Sequence, residues 1–128
     1  MIQGNEIYIN GTGETSRDFC FVGNVVQANI LVATTENNEA INQVCNIAVH
    51  ARTTLNQLLE MIRTRLAPHH GHFKEFKPTY RDFRQGDIMH SHADITKAET
   101  LLGYQPTHKI EEGLDAALEW YRQNILLS

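Results

Sequence analysis

Residues 80–94, with the sequence YRDFRQGDIMHSHAD, contain the side chains of this chain that are best suited to chemistry. Arg84 and Asp87 stand on either side of Gly86, and a glycine permits a tight bend. Such a bend can aim a guanidinium and a carboxylate at one ligand. Since the stretch has neither helical nor strand periodicity, the sequence predicts an ordered loop, and such loops usually carry function.

The arginines and aspartates of the chain suit a diphosphate that is joined to a sugar diol. Arg17 and Arg84 can each donate paired hydrogen bonds to phosphate oxygens, and Asp87 can accept hydrogen bonds from two vicinal hydroxyls. The alternative is that these side chains pair with one another on the surface, and the residues alone leave the two interpretations even. For Arg81 and Asp82, surface pairing is favoured.

Other kinds of site have weaker support. There is no serine-centred glycine elbow and no cysteine flanked by activating cations, so we predict no catalytic residue in this chain. The Gly11-Thr12-Gly13 segment lacks the third glycine and the following helix of a dinucleotide fingerprint, which favours a hairpin-like turn. The histidines lack the spacing of a metal site, so we predict no metal and solvated imidazoles. The histidines concerned are His69, His70, His72, His90 and His92.

Length, charge and hydropathy limit the class of protein. The 128 residues suit one domain, and the net charge of -4 argues against nucleic-acid or anionic-membrane partners. No apolar run is long enough to span a bilayer. Cys20 and Cys45 each lie in an apolar segment, which favours reduced thiols and a cytoplasmic location.

The hydrophobic pattern predicts an α+β fold, with a small mixed β-sheet and about four helices. Extended segments are predicted at residues 7–9 and 17–21, and a buried strand at residues 44–49. A largely buried helix is predicted over residues 22–35, and a second helix begins at Thr53 or Thr54. A short helix is capped by Asp94 and ended by Gly103, and the last helix covers residues 110–124. The buried stripe of the last helix is predicted to contain Ile110, Leu114, Ala117, Leu118, Tyr121 and Ile125.

Four segments resemble a known family: YINGTGETSRDF, VCNIAV followed by RTTL, RQGDIMHSHADITKAETLLGY, and EEGLDAALEWY. In this order and spacing they are similar to the C-terminal substrate-binding part of extended short-chain dehydrogenase/reductases. They look most like UDP-N-acetylglucosamine 4-epimerases of bacterial polysaccharide pathways. The resemblance implies that Arg17 and Arg84 bind the diphosphate and that Asp87 binds the uridine ribose. It also implies that the backbone around Tyr8 to Asn10 lies against the uracil.

Ser91 is the position from which the resemblance implies a substrate class. In this family the residue seven positions after the diphosphate arginine forms a wall of the sugar pocket. Epimerases with a tyrosine at that position are limited to non-acetylated sugars. A serine leaves room for an N-acetyl group, which implies UDP-GlcNAc and UDP-GalNAc as ligands. His50 departs from the family, because relatives usually have glycine at that position.

The resemblance also implies parts that are not found in this sequence. Family members carry an N-terminal Rossmann domain with a glycine-rich dinucleotide turn and a Tyr-x-x-x-Lys pair, and neither motif occurs here. We therefore expect NAD in a full-length parent, no cofactor in this chain, and an inactive C-terminal fragment truncated at Met1. The fragment should expose apolar surface that the missing domain would cover, so we expect self-association. The alternatives are a fragment of a related dehydratase or decarboxylase, and a stand-alone ligand-binding or interaction domain.

Overall fold

The computed structural model describes residues 5–69 and 71–125, which form two compact units. The first unit consists of the residues up to Arg17 together with Arg52–Ser91, and the second of Asp18–Ala51 together with the residues after Ser91. The single domain expected from the chain length stays a prediction. Expectations that fall outside the described residues or side chains concern Met1, His70, His72 and Ile125.

The first unit contains two pairs of short strands and one α-helix. Strand β1 (Tyr8–Asn10) pairs in parallel with β4 (Thr79–Arg81), and β2 (Ser16–Arg17) pairs antiparallel with β3 (Thr53–Thr54). Helix α2 (Leu55–Leu66) follows β3 directly. Because β1 and β2 belong to different strand pairs, the glycine turn between them is not a hairpin, and that prediction is wrong.

Helix α2 begins where its capping residues predict. The Thr54 hydroxyl accepts a hydrogen bond from the Gln57 amide, and the Gln57 side chain accepts one from the Thr54 amide, which makes a capping box. Leu66 and Phe73 are both fully buried, and α2 packs against the short 3₁₀ helix Gly71–Lys74. The connection after α2 therefore supplies a core side chain.

The second unit contains three α-helices and a 3₁₀ turn. They are α1 (Val22–Thr34), α3 (Thr96–Leu102), α4 (Ile110–Ile125) and the turn Asn38–Ala40. Tyr121, which was predicted in the buried stripe of α4, is 47% exposed. With the first unit, the described residues hold four α-helices and small parallel and antiparallel strand pairs, which confirms the α+β prediction. The core of the unit is formed by Ala28, Ala48, Ile95, Ala98 and Tyr104.

The VCNIAV segment is not a strand, and the prediction of a buried strand is wrong. Its first valine is 85% exposed. Its backbone groups bond to side chains instead: the Val49 amide donates to Asp18 at 3.1 Å, and the Ala48 carbonyl accepts from the Tyr104 hydroxyl at 2.8 Å. A strand needs a neighbour that takes up its amides and carbonyls, and the described residues of the second unit supply none here. Burial, the main cause, raises the pKa of the Tyr104 phenol to about 12.

Helix α1 has the predicted bounds to within one residue, but it is less buried than predicted. Val22, Val26 and Ile30 are 65%, 52% and 58% exposed, whereas Asn24 and Ala28 are buried. Apolar residues lie all around this helix, so its pattern does not define one core face. The prediction of a largely buried helix is therefore wrong.

The N-cap of α3 is Ile95, so the prediction that Asp94 caps this helix is wrong by one residue. The Asp94 carboxylate still accepts a hydrogen bond from the Thr96 amide at 2.9 Å, and bonds to the side chain and backbone of Thr96 hold the pKa of Asp94 below its usual value. The predicted end of the helix is confirmed. Gly103 ends α3 with a φ of 64°. His50 has a φ of 54°, in the left-handed region that favours glycine. A glycine, which the resemblance implies at this position, would adopt this backbone conformation without strain.

Candidate functional site

The loop after β4 begins with a tight turn. The Asp87 amide donates to the Arg84 carbonyl at 3.1 Å, and Gly86 has a φ of 84°, as the third residue of a type II turn requires. The bend expected from the Arg-x-Gly-Asp motif is therefore present. The Arg84 side chain is exposed, and within residues 5–69 and 71–125 its guanidinium has no hydrogen bond or ion pair.

Arg17 is bound to the same loop from β2. Its Nη1 donates to the carbonyls of Ser16 at 2.8 Å and Ile88 at 2.6 Å, and its Nη2 lies 3.5 Å from Asp87 Oδ1. The two charged side chains are 31% and 34% exposed, so the pair reaches solvent. The pairing that the residues left as an alternative is thus formed. Such an exposed pair contributes at most about 1 kcal/mol, so a ligand can replace it at little cost.

Ser16 holds the end of the loop. Its amide donates to the Met89 carbonyl at 2.8 Å, its carbonyl accepts from the Ser91 amide at 3.0 Å, and it forms a parallel bridge with His90. The Ser16 hydroxyl also hydrogen-bonds to His90 Nδ1 at 2.8 Å. Together with the contacts of Arg17, five consecutive loop residues ending at Ser91 each bond to Ser16 or Arg17.

Sequence reasoning missed Ser16 and placed His90 among the solvated histidines. The two residues are 74 positions apart, so no local pattern could show that they pair. The Asp18 carboxylate accepts hydrogen bonds from the amides of Val49 and Ala93.

Tyr8 and Asn10 lie on β1, and the ring of Tyr8 is covered by a guanidinium. Arg81 Cζ lies 3.1 Å from the centroid of this ring, a cation–π contact. The Tyr8 hydroxyl donates to Glu6, and this bond is the main cause that raises the pKa of Tyr8 and lowers the pKa of Glu6. Because Arg81 contacts Tyr8 and forms no ion pair with Asp82, the predicted pairing of Arg81 with Asp82 is wrong.

The predicted site residues thus fall into two groups. Arg17, Asp87 and Ser91 are joined through β2 and the loop, and Arg84 starts the turn that ends at Asp87. Tyr8 and Asn10 lie on the other strand pair of the first unit. Among the described residues, no side chain of this second group hydrogen-bonds to the loop group.

The glycine turn between β1 and β2 does not form an open phosphate cradle. Gly11 and Gly13 have φ values of 75° and 80°. A Cβ on Gly11 would lie 2.4 Å from the ring of Phe83, and a Cβ on Gly13 would lie 2.0 Å from Asn56 Oδ1. Side chains already fill the space beside both glycines, and a strand follows rather than a helix. The pyrophosphate of NAD does not fit this turn.

The described part of the chain holds neither a metal-binding cluster nor a membrane-spanning helix. No three His, Cys, Asp or Glu side chains in residues 5–69 and 71–125 are grouped so that they could hold a metal ion. His50 and His92 are ring neighbours with centroids 4.4 Å apart. None of the helices in these residues combines the length and the apolar composition needed to cross a membrane.

Comparison with known proteins decides the family. The sequence model described as GDP-mannose 4,6 dehydratase matches residues 1–117. The chain belongs to the GDP-mannose 4,6-dehydratase family. Two segments that carried the resemblance, Arg-Asp-Phe and Arg-x-Gly-Asp, meet at the loop after β4, where Arg17 pairs with Asp87.

Solved structures similar to this GDP-mannose 4,6-dehydratase family member include three epimerases. A UDP-glucose 4-epimerase from Thermotoga maritima, solved with UDP-glucose, is 36% identical over 98% of this chain, with a TM-score of 0.81. A UDP-N-acetylglucosamine 4-epimerase from Methanobrevibacter ruminantium, in complex with UDP-N-acetylmuramic acid, is 33% identical over 95% of the chain, with a TM-score of 0.79. A UDP-glucuronic acid 4-epimerase from Bacillus cereus, in complex with a UDP-sugar and NAD, is 26% identical over 95%, with a TM-score of 0.79.

This member of the family spans only part of its relatives. It covers 37%, 36% and 37% of those three structures, and 35% to 37% of curated archaeal and bacterial relatives. These findings confirm the fold and the resemblance to the C-terminal portion of NAD-dependent nucleotide-sugar 4-epimerases.

Proposed function

We propose that this chain is the UDP-sugar-binding part of an NAD-dependent nucleotide-sugar 4-epimerase. In the complete enzyme the reaction would interconvert UDP-GlcNAc and UDP-GalNAc. Arg17 and Arg84 bind the diphosphate, Asp87 binds the ribose hydroxyls, and the backbone of Tyr8 to Asn10 contacts the uracil. The chemical step needs groups beyond this chain, so the described residues bind and orient the ligand.

The observation that carries the proposal is the arrangement at the Gly86 turn. It holds at its first residue an exposed Arg84 guanidinium that has no partner among the described residues, and at its last the Asp87 carboxylate. An unpaired guanidinium of this kind is suited to bidentate bonds with phosphate oxygens. Asp87 at present pairs with Arg17, and ligand binding would exchange that weak pair for bonds from Arg17 to phosphate and from hydroxyls to Asp87.

Ser91 supports the choice of acetylated sugars. It is exposed, and its amide is bound to the Ser16 carbonyl, so its position is fixed by the backbone. A small side chain at this fixed position leaves space for an N-acetyl group. We expect Ser91→Tyr to lower the affinity for UDP-GlcNAc more than the affinity for UDP-glucose, measured by competition titration of the two sugars. Equal losses for both would contradict the assignment of Ser91.

NAD belongs, in this proposal, to the complete enzyme and not to these residues. The chemistry that NAD supplies there is reversible hydride removal from the sugar. Because the Gly11 and Gly13 turn is filled by Phe83 and Asn56, no residue of this chain is assigned to NAD.

The proposal predicts that UDP binds and that binding depends on Arg84. Replacing Arg84 with alanine removes charge-assisted bonds to the diphosphate, so UDP affinity should fall roughly tenfold to a hundredfold. Titration calorimetry or NMR shift titration with UDP would measure this change. The matched control is Lys97→Ala, which removes an exposed positive charge on α3 and should leave affinity unchanged. Equal affinity of the wild type, Arg84→Ala and Lys97→Ala would sink the diphosphate assignment.

The name of the family model favours a 4,6-dehydratase as the second candidate. Such enzymes act on nucleotide sugars too, so a UDP titration does not separate the two functions. A panel of UDP, GDP and dTDP does, because the epimerase proposal expects UDP to bind most tightly. Tightest binding of GDP would favour the dehydratase.

A further inference from the structure

The pairing of β2 with the loop places side chains on two faces. Ser16 and His90 are directly opposite each other in a parallel bridge, so their side chains lie on the same face. Side chains alternate along extended chain, which puts Arg17 and Ser91, the next residue on each segment, on the opposite face. The second face carries residues proposed to bind the ligand, and the first face carries a hydrogen-bonded serine and imidazole.

The bond between Ser16 and His90 can fix the positions of the residues on the opposite face, which is proposed to bind the ligand. Ser16 is only 4% exposed, whereas His90 is exposed, so a buried hydroxyl fixes the inner nitrogen of a solvent-facing ring. The backbone of Ser16 also makes the two bonds that end the loop: its amide donates to the Met89 carbonyl at 2.8 Å, and its carbonyl accepts from the Ser91 amide at 3.0 Å. Among the described residues, this is the only side-chain hydrogen bond on that face that joins the loop to β2. Without it, the loop on that face is held to β2 by backbone bonds alone.

We propose that Ser16 and His90 form a positioning pair that fastens the ligand loop from the side opposite to the ligand. The pair does not touch the nucleotide sugar. It holds the loop in register with β2, so that Arg17, Asp87 and Ser91 keep the spacing that a UDP-sugar requires. This inference rests on the proposed function, and it adds two residues that the motifs did not single out.

The test compares UDP affinity among variants of the 128-residue chain, at a temperature where all of them are folded. Ser16→Ala and His90→Ala should each weaken UDP binding roughly tenfold, since each removes the same hydrogen bond. The double variant should be no weaker than either single one, because both changes act through one contact. His90→Asn should restore affinity, since the asparagine amide can occupy the position of Nδ1 and bond to the hydroxyl. The control His69→Ala removes an exposed imidazole elsewhere in the first unit and should bind UDP like the wild type.

The outcomes separate this inference from the function on which it rests. If Arg84→Ala weakens UDP binding but His90→Ala does not, the positioning pair is wrong and the proposed function stands. If Arg84→Ala has no effect, both are overturned. A loss of thermal stability in His90→Ala with unchanged UDP affinity, or a failure of His90→Asn to restore it, would show a structural role only. His90 is exposed and its substitution should not prevent folding, so the test does not depend on Ser16→Ala.

Discussion

Replacing Asn24 with alanine should lower the free energy of unfolding by about 3 to 5 kcal/mol. Asn24 lies in α1 and is completely buried. Its Oδ1 accepts hydrogen bonds from the Thr107 amide at 3.0 Å, the Thr107 hydroxyl at 3.1 Å and the His108 amide at 3.1 Å, and its Nδ2 donates to the His108 carbonyl at 2.7 Å. Alanine leaves these groups without partners, and an unsatisfied buried polar group costs about 1 to 3 kcal/mol.

Urea denaturation followed by circular dichroism would measure the loss. The matched control is Asn29→Ala, an exposed asparagine of the same helix whose side chain, among the described residues, bonds only to the Val25 carbonyl one turn earlier. That change should alter the free energy of unfolding by no more than about 0.5 kcal/mol. Asn24→Asp replaces the donor by a second acceptor that faces the His108 carbonyl and buries a carboxylate, so it should also lower the free energy of unfolding. If the two alanine variants are equally stable, the bonds of Asn24 do not hold α1 to the segment before α4.

Asn24 also shows where sequence reasoning failed on the fold. The pattern of α1 is apolar on every side, so it predicted burial of valines that are in fact exposed, and it did not indicate that the polar Asn24 is buried. The features that were predicted well have local causes. Thr54 and Gln57 cap α2 within three residues, and Gly103 ends α3 through its own φ. The strand expected at residues 44–49 failed because strand pairing depends on a neighbour that the segment itself cannot specify.

The candidate site divides in the same way. The Gly86 turn depends on four consecutive residues, and the Arg-x-Gly-Asp motif predicted it. The pairing of Arg17 with Asp87 joins residues 70 apart, and the residues alone left it as one of two even alternatives. The bond between Ser16 and His90 was missed, because it depends on the register of β2 against the loop. Motifs thus predicted which residues bind a ligand, and the structure shows what holds those residues in place.

The second large loss of stability is expected from a substitution at Gly13, in the turn before β2. Gly13→Ala should lower the free energy of unfolding by about 2 to 4 kcal/mol. The φ of 80° costs a residue with a Cβ about 1 to 2 kcal/mol. The Cβ would also lie 2.0 Å from Asn56 Oδ1, so the Asn56 side chain must move. In moving it loses its bonds to the Thr12 carbonyl at 3.0 Å, to Glu14 at 2.7 Å and from the Tyr80 hydroxyl at 3.0 Å.

Three further variants separate the two causes. Gly71→Ala is the control, because Gly71 has no positive φ and no atom lies within 4 Å of its added Cβ, so the free energy of unfolding should stay nearly constant. Asn56→Ala alone removes the three side-chain bonds without strain. Combined with Gly13→Ala, it should cost less than the sum of the single changes, since the clash is then absent. Strict additivity would show that the left-handed backbone alone requires glycine at position 13. If Gly13→Ala and Gly71→Ala have the same free energy of unfolding, the turn can rearrange. In that case neither the φ of residue 13 nor its contact with Asn56 is needed to place Ser16 and Arg17 against the loop.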